Sequence, residues 1–162
     1  MRSCLSETIG SVVGGPYNNR FMPFPWNPPQ AFKSTVEYLD YRGIFLNICG
    51  PWYVEEQFSH FPTDTRVHPI HGDLLPQNTL VDRSKITAIV DWETGGYYPE
   101  FWEYCRIHDL GLTTPGWEHA LARIFPGPRL EKETNAVARI VRYTNQNRES
   151  TPAKCNRIRD LW

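Results

Sequence analysis

Apolar positions along this chain change period twice, and those changes predict its elements. Gly14, Gly15, Pro16, Pro23, Pro25, Pro28 and Pro29 punctuate residues 14 to 30 too densely for a regular element, because each proline fixes φ and removes a backbone donor. Pro28-Pro29 suits the first turn of a helix that carries Phe32, Val36 and Leu39 along one face,. A shorter helix is predicted from Pro51, with Trp52 and Phe58. From Val67 the pattern turns β-like. An extended Val67–His71 runs into a loop, then Thr79–Asp82 and Ile86–Val90 flank the polar turn Asp82-Arg83-Ser84-Lys85 and read as a hairpin,.

Beyond Pro99 the helical period returns. Trp117, Ala120, Leu121, Ile124 and Phe125 share one helical face, started by Thr114-Pro115 and stopped by Pro126-Gly127-Pro128,. Val137, Ile140 and Val141 mark a last helix. Helices, then a loop and hairpin, then helices again predict an α+β chain, with no internal repeat. The expected division is an irregular segment 1–30, a folded body 31–148 and a tail 149–162.

Composition adds little to that picture. The 162 residues are 40% hydrophobic, 22% charged and 14% aromatic, which places the chain among globular proteins and predicts one domain. Lys and Arg number 17 against 18 for Asp and Glu, so no strong field draws in nucleic acid or an anionic membrane. Cys4, Cys49, Cys105 and Cys155 form no Cys-x-x-Cys pair, and a reduced, cytoplasmic protein is expected. Neither a signal peptide nor a membrane span is predicted.

The chemistry concentrates in His71-Gly72-Asp73-Leu74-Leu75-Pro76-Gln77-Asn78 and in Asp91, within Ile89-Val90-Asp91-Trp92-Glu93. Phosphoryl transfer needs a carboxylate facing the attacking hydroxyl and oxygen ligands for magnesium on the phosphates. Asp73 suits the first role and Asn78 the second. A hairpin starts and finishes on one side of a sheet, so Asp91 is expected to return beside Asn78 and complete the metal site.

These residues resemble the catalytic core of the aminoglycoside phosphotransferase family, relatives of the protein kinases. His71, Asp73 and Asn78 match the His-x-Asp-x-x-x-x-Asn loop, and Asp91-Trp92-Glu93 takes the place of Asp-Phe-Gly. Gly95–Tyr104 resembles the helix after the metal site in fungal members, and Ile9–Pro16 resembles the segment just beyond their interlobe junction. The resemblance implies a kinase-like C-terminal lobe that uses ATP and Mg2+ to phosphorylate a hydroxyl of a small molecule. It implies Asp73 as base, His71 as loop organiser, Asn78 and Asp91 as nucleotide-metal ligands, and Glu93 as an accessory ligand.

The family's N-terminal lobe has no counterpart in the sequence. Gly10-Ser11-Val12-Val13-Gly14-Gly15 lacks the spacing of a phosphate-binding glycine loop and reads as a plain turn,. The nearest downstream lysine, Lys33, falls in a predicted helix rather than on a strand. The expectation is a phosphotransferase lobe that is incomplete by itself or, alternatively, a catalytically silent binding or structural module. Either would expose an apolar surface prone to association.

Other readings carry their own expectations. His68, His71 and Asp73, with Cys105 and His108, could suggest a zinc hydrolase. Against it, side chains three apart on an extended segment point to opposite faces. Trp92, Tyr97, Tyr98, Phe101, Trp102 and Tyr104 are expected to pack a core, or else to line a ring-binding pocket. Glu100, Glu103, Asp109 and Glu118 are expected to form a solvated face or to attract a cationic acceptor.

Overall fold

The computed structural model describes residues 4–17, 20, 27–46 and 51–146. Pro23, Pro25 and the tail 149–162 of the sequence reading lie outside the described residues. Among the described residues, five helices and two small antiparallel sheets follow one another as α1 (Thr35–Leu46), α2 (Pro51–Phe58), β1 (Val67–Ile70), β2 (Thr79–Asp82), β3 (Lys85–Ile89), β4 (Gly96–Pro99), α3 (Phe101–Ile107), α4 (Pro115–Ile124) and α5 (Glu131–Gln146). The mixed α+β fold is the expected one, and it has the make-up of a kinase-like C-terminal lobe.

α1 begins later than the proline pair suggests. Ser34 caps it: its Oγ accepts the Glu37 N–H at 3.1 Å, and Glu37 reaches back to the Lys33 N–H at 2.5 Å. This is close to the reciprocal Ser-x-x-Glu capping box, a stronger start signal than Pro28-Pro29. Two expectations fall with the boundary. Lys33 precedes the helix rather than lying in it. Phe32 belongs to a bridge with Ile9, closed by two 2.9 Å backbone hydrogen bonds. The buried face of α1 consists of Thr35, Tyr38, Leu39, Tyr41 and Arg42, with Val36 exposed.

The N-terminal stretch is similarly tied in. Ile9 pairs with Phe32, and Gly10 exchanges backbone hydrogen bonds with Tyr97 of β4 at 3.0 and 2.8 Å. Gly10–Gly15 is a turn, closed by the Ser11 N–H on the Gly15 carbonyl and the Gly14 N–H on the Ser11 carbonyl. β4 was not foreseen. It pairs with β1 from Val67↔Pro99 to Ile70↔Gly96, and α3 starts only after it, so the helix expected over Gly95–Tyr104 covers its last part alone. Gly96 is required where the strands and Gly10 meet, since a Cβ there would stand 2.7 Å from the Gly10 carbonyl oxygen.

Behind this sheet lies an aromatic core. Tyr17 stacks on Tyr98 at 4.6 Å between ring centroids, Tyr98 on Trp102 at 5.8 Å, and Tyr38 meets Trp102 edge-on. Arg42 is buried over the Trp102 ring, 4.8 Å from its centroid, with its Nε donating to Tyr38 Oη. Of the six aromatics from Trp92 to Tyr104, Tyr98, Phe101 and Trp102 are therefore core residues.

α5 closes the core with Ala136, Val137, Ile140 and Val141 and packs on α1, α2 and α3. α4 begins at Thr114, whose side chain accepts the Trp117 N–H, with Pro115 at its first turn. Of its expected apolar face only Leu121 is buried, and Ile124 is exposed because α4 lies at the periphery.

Candidate active site

The loop after β1 turns at Gly72, whose φ of +79° is a left-handed conformation that glycine alone adopts freely,. A Cβ at this point would lie 2.7 Å from the Thr94 carbonyl oxygen. Thr94 is buried and fixes the two segments together, its Oγ1 donating to the His71 carbonyl at 2.9 Å. Glu103, one turn into α3, then holds the loop from below. Its carboxylate accepts the backbone N–H groups of His71 at 2.7 Å, Gly72 at 3.2 Å and Leu74 at 3.3 Å. The carboxylate thus acts as a template for the loop backbone, and the solvated-face reading of Glu103 is corrected.

His71 is buried and both ring nitrogens are engaged. Nε2–H donates to the Val90 carbonyl at 2.9 Å, while Nδ1 accepts the Asp73 N–H at 3.3 Å. The ring therefore links the loop to the exit of β3, and Trp92 lies 4.6 Å from it. Such engagement is what a loop organiser needs. It also removes the imidazole as a zinc ligand, since ligation needs a nitrogen lone pair. His68 faces Glu100 at 3.8 Å, and His108 is bonded to the Tyr104 carbonyl. Burial lowers the His108 pKa and pushes the Cys105 thiol up to about 12, the reverse of the thiolate a zinc site needs. The zinc-hydrolase geometry is absent from the described residues.

Asp73 sits at the loop's centre, buried, with each oxygen assigned. Oδ1 accepts from Arg106 at 2.6 Å, and Arg106 also donates to Asp109 at 3.3 Å. Asn78, buried on the 3-10 turn Pro76–Asn78, donates its Nδ2 to the Asp73 carbonyl at 2.8 Å and to Oδ2 at 3.3 Å. The Asn78 carbonyl in turn accepts the Val90 N–H. Because the donor end of the Asn78 amide is spent on Asp73, its acceptor end is the one left for a cation.

Arg20 gathers the remaining acids. It forms a close ion pair with Asp73 Oδ2, with NH1 at 3.8 Å from Asp91 and Nε at 3.3 Å from Glu93. One guanidinium thus reaches all three carboxylates and gathers Asp73, Asp91 and Glu93 around it. Asp91 itself has φ +64°, a sparsely populated conformation for a non-glycine residue.

Hard oxygen donors at Asn78, Asp91 and Glu93 suit magnesium, which binds through one or two carboxylates plus phosphate and keeps several waters. The described residues hold no cluster of three His, Cys, Asp or Glu side chains able to enclose an ion by themselves.

Sequence reasoning missed Glu103 as a template, Arg106, Thr94 and Arg20. The first two were readable in part: Glu103, Arg106 and Asp109 recur every third residue along α3 and its C-terminus, which puts a polar stripe on a helix otherwise buried by Phe101, Trp102 and Cys105.

A loop built on a buried aspartate, an asparagine that braces it and acids returned by a hairpin is the arrangement of a kinase-like phosphotransferase lobe. The model of the phosphotransferase enzyme family, APH, matches residues 35–136, and the chain belongs to that family. No curated protein and no solved structure matches it. No helix among the described residues is long and apolar enough to cross a membrane.

Proposed function

We propose that this chain carries the catalytic half of an ATP-dependent phosphotransferase acting on a small-molecule hydroxyl. The observation that carries the reading is the setting of Asp73: buried, oriented through Oδ1 by Arg106, with Oδ2 turned to the side where Asp91 and Glu93 stand. The acceptor oxygen attacks the γ-phosphorus as the bond to the leaving ADP oxygen breaks, and Asp73 Oδ2 takes the hydroxyl proton. Asp91 and the Asn78 side-chain oxygen, with Glu93 in support, would hold magnesium, which would supply charge neutralisation on the phosphates. The location proposed is the cytoplasm, where ATP is abundant.

Arg20 supports a second reading, a catalytically silent module. Its guanidinium is already shared among the three carboxylates that base and metal chemistry would need. Incubating the protein with Mg-ATP and a panel of small alcohols and sugars separates the two. Acceptor-dependent ADP release that falls at least a hundredfold in Asp73→Asn supports catalysis. Release unaffected by Asp73→Asn sinks the assignment of the base, and no release from the wild-type chain, either alone or with a kinase-type N-terminal lobe added, favours the silent module.

A further inference from the structure

On the side of Asp73 facing α3 and α5 lies a cavity of about 320 Å³, whose lining includes Asp73, Gln77, Asp109 and the three arginines Arg20, Arg106 and Arg142. Its size is near the lower end of small-molecule sites, which run from roughly 300 to 1,000 Å³. An aspartate placed to take a hydroxyl proton forms part of its wall. We propose that this cavity is the acceptor site and that it takes a small hydroxyl compound bearing an anionic group, a carboxylate or a phosphate. The proposal rests on the phosphotransferase reading for the fate of the hydroxyl, but its recognition chemistry stands on the cavity itself.

The charges argue for an anion. Arg106 is buried and committed to Asp73 Oδ1 and Asp109 Oδ2. Asp109, also buried, spends Oδ1 on the Gly111 N–H and on Arg142 NH2, both at 3.0 Å. The two aspartates are thus already matched by guanidinium groups of the same wall, where Arg106 and Arg142 stand beside Asp109 and Arg20 is shared with Asp91 and Glu93 outside it. Arg142 is the group able to reach a ligand: its side chain is 58% exposed, anchored at one nitrogen by Asp109, and its fork geometry suits bidentate binding of carboxylate or phosphate.

Gly111 keeps that approach open, since a Cβ there would stand 2.9 Å from Arg142 NH2. The acids that might have drawn a cationic acceptor are engaged elsewhere. Glu103 holds the loop backbone, Glu118 is paired with Arg129, and Glu100 lies by His68.

Calorimetric titration of the whole chain, without nucleotide, with D-gluconate, glucose 6-phosphate, glucose and glucosamine tests the proposal. At least one acid is expected to bind tenfold or more tightly than both glucose and glucosamine, and to weaken as salt is raised. Gluconate alone would assign a carboxylate site, and glucose 6-phosphate alone a phosphate site. Arg142→Gln is expected to remove at least tenfold of that affinity. Its melting temperature should hold, because Asp109 keeps Arg106 and the Gly111 N–H. Equal or tighter binding of glucose or glucosamine, no binding of either acid, or an Arg142→Gln affinity equal to wild type overturns it. Because no phosphoryl group is transferred, failure here leaves the Asp73 assignment standing, and failure there leaves this one.

Discussion

The catalytic loop His71–Asn78 and the hairpin β2–β3 are consecutive in the chain and opposite in physical character. The loop is polar in sequence and largely buried, with His71, Asp73 and Asn78 all inside. The hairpin carries Leu80, Val81, Ile86 and Ile89, and leaves all four exposed, Ile86 by 67%. Burying polar groups costs free energy unless each is hydrogen-bonded, and the loop meets that cost with Glu103, Thr94, Asn78, Arg106 and the His71 ring. The hairpin has backbone pairing and little else. Its polar turn is tight, with Arg83 at φ +56°, and its register shifts between Leu80 and Val81. A scaffold thus holds the chemistry in place on one side, while the neighbouring hairpin leaves its apolar side chains exposed.

That contrast can be broken at its strongest point first. Glu103→Ala removes the acceptor for three backbone N–H groups, and leaving them buried and unpaired is expected to cost about 3–4 kcal/mol in urea denaturation. A loss below about 1 kcal/mol would mean that water or a neighbour replaces the carboxylate and that the loop is not held as described.

Gly72→Ala comes next, with an expected loss of about 2–3 kcal/mol from the left-handed φ and the approach to the Thr94 carbonyl,. Thermal melting measures it, and an unchanged midpoint would show that the turn relaxes freely. Ile86→Lys, on the hairpin, is expected to move stability by no more than about 0.5 kcal/mol. If it unfolds the chain, the hairpin is a core element and the contrast fails.

Legibility divided along similar lines. The hairpin, the last two helices and the loop's His71, Asp73 and Asn78 were readable because each is written locally, as alternation, as helical spacing or as a motif. The start of α1 was also local, in Ser34-x-x-Glu37, but a proline pair upstream looked more conspicuous. β4 was not readable. Gly96-Tyr97-Tyr98-Pro99 has neither strand alternation nor length, and becomes a strand because β1 and Gly10 offer it partners. Val36 and Ile124 were misjudged for a related reason: helical spacing says which residues share a face, but not which face meets the core.

The sequence by itself determined the family, the α+β succession of elements, the aspartate at the centre of the loop and the acids that follow the hairpin, since these are facts of residue type and spacing. Only the tertiary structure decided what stands around Asp73. Arg20, Arg106 and Glu103 come to it from distant parts of the chain, and their charges are balanced by contacts that no local pattern records. The same packing turned Glu103 and Asp109 from an apparent acidic surface into internal braces, and left Arg142 partly exposed on the wall of a cavity it shares with Arg20 and Arg106.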